Sequence, residues 1–193
     1  MSRTPTSRKE VSRERILDAA SRAIRRKGFH GVGVAEVMNE AGLTHGGFYA
    51  HFQSKDVLLS EALGRAGRDA STMLETSMNR LMAAGLSPFR ALVESYLYGS
   101  EIANREKGCP VAALCSEVPT QPDEVADSFR QLVVKLHRLV KQTLPAIQSP
   151  EAAWAITSTL VGAVQLARAL GDNEVGRSVL VEVKRELLAR YEV

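Results

Sequence analysis

Aromatic residues are scarce in this chain, 5% of its 193 positions, with a single tryptophan among them. Alanine, leucine and valine are common instead, which favours helices over a β-sandwich. Cysteine is scarcer still. Cys109 and Cys115 are the two present, too few for a disulfide framework. On one helix they would diverge by roughly 240° and lie about 9 Å apart along the axis, so a bridge would require the helix to break. After the basic start Met1-Ser2-Arg3-Thr4-Pro5 no apolar run follows, so no secretory leader is expected and the cytoplasm is the expected location. The most apolar stretch, 152–170, carries Thr157, Ser158, Thr159, Gln165 and Arg168. It reads as a poor membrane span, and no membrane partner is expected.

Catalytic and metal-binding patterns are missing as well. His45 and His51 have no cysteine or carboxylate beside them at ligand spacing, and His30 and His137 stand alone, so no metal site is read. There is no phosphate-binding glycine loop, nucleophile elbow or paired acid–histidine constellation. The chain reads as a non-enzyme with no catalytic residues and no cofactor.

What is present is an ordinary globular balance of 45% apolar and 24% charged residues, with charge unevenly spread. Residues 1–55 hold ten Lys and Arg against five Asp and Glu, whereas 56–193 hold fifteen against seventeen. A basic end on a slightly acidic body suits a polyanionic partner met by that end. A basic solvated tail would give the same count, and charge alone leaves both open.

Helical periodicity runs from Ser12, a candidate N-cap, through Ile16, Leu17, Ala20, Ala23 and Ile24, and stops at Gly28. Arg13, Arg15, Arg22, Arg25 and Arg26 are expected on the other faces. A short helix fits Val34 to Ala41, and Gly42 tolerates the left-handed backbone of a tight turn. Thr44 can cap a third helix reaching about Phe52, and Ser54 caps a fourth. In the third segment Phe48 and Phe52 share the buried side, leaving Thr44, His45, Gly47 and Tyr49 outward. Gly46 and Gly47 leave part of the surface bare, so its backbone can sit close to a phosphate or a thymine methyl. Two glycines cost roughly 1 kcal/mol each in a helix, and on periodicity alone a loop here stays open as the alternative. Further helices are expected at about 54–84, 88–106, 110–118, 122–147, 150–170 and 173–191, punctuated by prolines and glycines. The whole is all-α with about nine helices.

Gly28-Phe29, Val34, Val37, Ala41-Gly42-Leu43-Thr44, Gly46, Phe48-Tyr49, His51-Phe52 and Ser54-Lys55-Asp56-Val57-Leu58-Leu59 together resemble the DNA-binding domain of the TetR family of bacterial repressors. The resemblance runs from about Arg13 to Leu59, and its Gly-x-x-Tyr-x-His-Phe-x-Ser-Lys core is highly specific. It implies an N-terminal three-helix helix-turn-helix domain at 10–59 and a helical ligand-binding and dimerisation domain at 60–193. It also implies roles. Thr44 would cap the recognition helix and meet a phosphate, His45 would face the bases, and Gly46 and Gly47 would permit close approach. Tyr49, His51 and Lys55 would contact phosphates, which position a protein while base contacts specify sequence. One departure stands out: Val32 and Gly33 occupy places where the family carries Thr or Ser. The Gly33 amide would replace the lost hydroxyl, with Arg13 or the N-terminal arginines adding grip.

Beyond 60 the resemblance is one of length and helical layout. The stretch 152–170 is apolar nearly all round and needs cover on two sides. Together with the last helix it is expected to form a dimer interface through Trp154, Leu160, Val161, Val164, Val179 and Val183. A pocket for a small-molecule inducer is expected among the middle helices. Tyr96, Cys109 and Phe129 are its candidate lining, with Tyr98, Phe89, Met73, Met78 and Met82 equally readable as core. Pro110 suits a first helical turn, making Cys109 a candidate N-cap whose thiol would be acidified and reactive, or would simply cap. The expected function is a homodimeric repressor released from a palindromic double-stranded operator by its inducer, or by modification of Cys109. A helical interaction module and a ligand-binding enzyme are the rival classes.

Overall fold

The computed structural model describes residues 7–98, 102 and 104–192. Among them every regular element is helical. In order these are α1 (Arg8–Lys27), α2 (Val34–Glu40), a 3₁₀ helix (His45–Ala50), α3 (Lys55–Ala83), α4 (Pro88–Tyr96), α5 (Pro110–Leu114), a second 3₁₀ helix (Cys115–Thr120), α6 (Asp123–Thr143), α7 (Ala152–Leu170) and α8 (Glu174–Tyr191).

The first helix starts earlier than Ser12. Ser7 and Glu10 form a reciprocal capping box: the Glu10 amide donates to Ser7 Oγ at 3.2 Å, and the Ser7 amide donates to the Glu10 carboxylate at 2.7 Å. Ile16, Ala20 and Ile24 are fully or almost fully buried against α3, which buries Leu58, Ala62 and Leu63 in return. Arg25 corrects the expectation of an outward arginine. It is buried, and its Nε donates to the Ser21 carbonyl at 3.0 Å.

The fourth expected helix is present as α3, capped by Ser54 Oγ, which accepts from the Val57 amide at 3.1 Å. It runs unbroken through residue 59, so the division expected at 59/60 falls inside one rigid element. The expected helix 88–106 is seen as α4, which ends at Tyr96; positions 99–101 and 103 lie outside the described residues, as do residues 1–6 with Arg3 of the N-terminal tail. The expected 110–118 helix divides into the short α5 and the 3₁₀ helix containing Pro119, whose ring disfavours α geometry before it.

By length and composition α7 could span a membrane. Here it packs on α6 and α8 with Ala153, Ile156, Leu160, Val164 and Ala167 buried.

A latch ties the first helices to the body. Gly28 ends α1 at φ 76° and ψ 175°, a conformation essentially confined to glycine. The chain then passes over the Glu117 carboxylate, which accepts from the Phe29 amide at 2.8 Å and the His30 amide at 3.4 Å. The His30 ring lies 3.1 Å from Thr120 Oγ1 and 3.2 Å from Gln121 Nε2. Arg26 reaches both Glu40, at 2.6 Å, and Glu106.

A Cβ on Gly28 would collide with the Glu117 carboxylate, whereas one on Gly85, also at positive φ, meets nothing. Gly28→Ala should therefore cost about 1–3 kcal/mol, and more than Gly85→Ala, in urea unfolding. Equal losses would show that the Glu117 bonds contribute nothing to stability.

Candidate nucleic-acid interface

The segment from Gly42 to Lys55 is shaped by two buried rings. Phe48 and Phe52, each 2% exposed, stack at 5.9 Å and fix one side of the 3₁₀ helix against the head's core. Gly42 takes φ +68°, and the amides of Gly42 and Leu43 close the turn onto Asn39 and Met38 carbonyls at 2.9 Å. This is the expected helix, tight turn, short helix. The last piece, His45–Ala50, is 3₁₀ rather than α.

The opposite side is open. Thr44, His45, Gly46 and Tyr49 are exposed, Tyr49 by 77%, and Gly47 is partly so. Thr44 sits at the N-cap position but its hydroxyl makes no capping hydrogen bond, which corrects the expected capping role and leaves the hydroxyl outward. Gly33 is exposed at the start of α2, and Lys55 is exposed at the first position of α3. His51 is half-buried, and among the described residues its Nδ1 is enclosed without a partner. All eight expected positions lie in the stretch 33–55; His51 is the one turned substantially inward.

Neither backbone nor space explains the glycines. Gly33, Gly46 and Gly47 have no positive φ. A Cβ on Gly33 or Gly46 would meet nothing, and one on Gly47 would make only ordinary contacts at 3.7 and 3.8 Å. Nothing within the chain requires glycine there.

Charge on this end is sorted by pairing. Arg22 meets Asp18, Lys27 meets Glu36 at 2.5 Å, and Arg26 meets Glu40. Arg13, expected to add phosphate grip, is committed: it bonds Glu61 at 2.6 Å and lies 4.8 Å over the Phe52 ring. It therefore braces α1 on α3. Arg8, Lys9, Arg15 and Lys55 have no ion pair among the described residues. Arg15 was not singled out from sequence, yet its guanidinium lies beside Gly42 at the turn. Only the fold brings those two positions together.

In the body, Tyr96 and Cys109 line one cavity of about 770 Å³ between α3, α6 and the start of α5. Tyr98 and Met73 line it too, whereas Phe89 and Met78 are core. Phe129 corrects the expectation: it faces a separate depression beside Cys115, Val118 and Pro119. Cys109 holds the N-cap position of α5 as expected, but burial pushes its thiol up, only partly offset by the Tyr96 hydroxyl. An acidified, reactive thiol is therefore withdrawn as a reading. Among the expected dimer residues, Trp154 is half-exposed and Val161, Val179 and Val183 are partly so. Leu160 and Val164 are buried within their own protomer, because the stripe they occupy faces α6 and α8.

A helical head with an open turn-and-helix surface, one basic end and an all-helical body defines a helix-turn-helix transcriptional regulator. Residues 16–62 match the family model described as bacterial regulatory proteins, tetR family. An uncharacterised HTH-type transcriptional regulator of Mycobacterium tuberculosis is 28% identical over 173 residues, covering 83% of this chain and 86% of that one. The uncharacterised HTH-type regulator YxaF of Bacillus subtilis is 32% identical over 66% of this chain and 64% of its own length. A TetR-family regulator from Agrobacterium tumefaciens has the same fold, with a TM-score of 0.77 at 21% identity over 95% of this chain and 98% of that one. Residues 16–62 therefore carry the DNA-binding segment described by the tetR-family model, and over most of its length the chain is similar to HTH-type transcriptional regulators.

Alanine at Gly46 or Gly47 should leave the fold intact, with the unfolding midpoint unchanged or slightly raised, since alanine gains up to about 1 kcal/mol over glycine in a helix. Affinity for duplex DNA, measured by fluorescence anisotropy, should fall. A variant that keeps its DNA affinity would show that no close approach occurs there.

Proposed function

We propose that this chain is a cytoplasmic, homodimeric repressor that leaves a palindromic operator when a small molecule fills the body cavity. The observation carrying the DNA half of this reading is the outward surface at 33–49, where nothing inside the protein requires glycine at Gly46 and Gly47 and Tyr49, touching Phe48 only edge-on, is 77% exposed. On this reading His45 faces base edges and the two glycines let the backbone approach. The Gly33 amide, Thr44, Tyr49, Lys55 and the Nε2 side of His51 take phosphates, with Arg15 as a further phosphate ligand at the turn. A two-fold dimer presents two such surfaces about 34–36 Å apart, one duplex turn.

Dimerisation is supported by apolar side chains left uncovered on α7 and α8: Trp154, Leu166, Leu170, Val175 and Val181. Along α7 Ala155, Ser158 and Leu166 are exposed, and a Cβ on Gly162 would meet open space. This uncharged ridge suits close packing against a second copy. Val161, Val179 and Val183 would sit at its border.

Two connections support transmission from cavity to head. The helix α3 carries Lys55 at one end and cavity-lining residues such as Arg68 and Met73 further along. The cavity residues Cys109, Pro110 and Val111 open α5, and Glu117 follows just beyond it on the turn after α1. A ligand that shifts α5 or α3 would retilt the head, and differential affinity between the two states supplies a coupling of about 1–3 kcal/mol.

Tyr49→Ala should change stability by less than about 0.5 kcal/mol, as for an exposed residue. It should weaken binding to duplexes selected from a random pool about tenfold or more, equivalent to about 1.4 kcal/mol. Unchanged affinity would remove the surface from the reading. Leu166→Arg should keep the helical circular dichroism spectrum while sedimentation shows a monomer with weakened DNA binding. A persisting dimer would place the interface elsewhere.

A further inference from the structure

We infer that the body cavity takes an amphipathic anion: an apolar chain or ring system ending in a carboxylate or phosphate. This rests on the proposed reading of that cavity as the effector site. Its floor is apolar, made by Gly67, Tyr96, Pro110, Val111 and Leu136, all buried. Its volume of about 770 Å³ suits a drug-sized molecule.

The rim is cationic. Arg68, Arg80, Lys107, Lys135 and Arg138 line it, all exposed, against a single lining carboxylate among the described residues, Glu75. None of these five is in an ion pair among the described residues. Elsewhere in the body most cations are paired, Arg105, Lys141 and Arg190 being the exceptions among the described residues. Arg65, Arg90, Arg130, Arg177, Lys184 and Arg185 each meet a carboxylate. The body as a whole carries more Asp and Glu than Lys and Arg, so five unpaired cations around one mouth run against its own balance.

Cations gathered at one mouth give a combined positive field that attracts a counter-charge. An anionic head at the rim answers that field, with arginine offering two-point hydrogen bonding to carboxylate or phosphate. An apolar tail then covers the floor. A cationic ligand of the same shape would meet the rim field with the wrong sign.

Four probes with one decyl chain separate head from tail: decanoate, decyl phosphate, decanol and decyltrimethylammonium. Each is titrated calorimetrically below its micellar concentration into the full-length protein. Decanoate, decyl phosphate or both should bind at least about tenfold tighter than the alcohol, and the ammonium weakest; which anion wins tells carboxylate from phosphate. Lys135→Gln with Arg138→Gln should erase the preference for anions while retaining decanol binding, and Glu75→Gln should strengthen it. Equal binding of all heads, preference for the ammonium, or no binding by any probe would overturn the inference. The readout is binding itself. An anion that binds selectively without releasing DNA would refute the proposed induction and leave the site's chemistry standing.

Discussion

The burial of Phe48 and Phe52 is the constraint on which the rest of the molecule depends. A six-residue 3₁₀ helix containing two adjacent glycines has little stability of its own. Two stacked rings, each almost fully inside, hold it in place and leave it no choice of face. Once those rings point inward, Thr44, His45, Gly46 and Tyr49 must point outward. The proposed recognition surface is a by-product of the core, and Arg13 locks the arrangement from above by spanning Phe52 and Glu61.

Charge then divides the molecule by function. Along the second half of α1, Arg22, Arg26 and Lys27 are paired with carboxylates of α1 and α2, so they contribute shape and rigidity more than field. Exposed pairs of this kind add little stability each. What they leave over is telling: unpaired cations gather near the head's open surface and around the mouth of the body cavity. The Glu117 carboxylate lies between these two regions, bonded to backbone amides rather than to a cation. Its position links the end of α5 to the turn that sets the angle between α1 and α2.

Local signals in the sequence located most element ends. Gly28 and Gly42 mark real positive-φ positions, Ser54 is a true cap, and Pro110 opens a helix as its fixed φ allows. The outward residues of the 42–55 segment followed from the spacing of two phenylalanines and from the family resemblance. Long-range partners were not legible, because no local pattern links Arg13 to Glu61 or Phe29 to Glu117, 88 positions apart. The same limit explains the body. In a helix apolar nearly all round, periodicity groups residues into stripes but does not say which stripe meets the chain's own core. Leu160 and Val164 lie on the inner stripe, while Leu166 and Trp154 lie on the outer one. Phe129 shares a helix with cavity residues yet faces the other way, which only the packing of α6 decides. The thiol of Cys109 was read from its place at a helix start, and burial outweighed that effect.

Hydrogen–deuterium exchange of the full-length protein, with and without a selected operator duplex, bears most directly on the recognition surface. Amides at 33–35 and 44–51 should gain protection on adding DNA, while the outer face of α7 and α8 should be unchanged. Protection confined to the body, with the 44–51 stretch exchanging as in the free protein, would contradict the placement of DNA on the head.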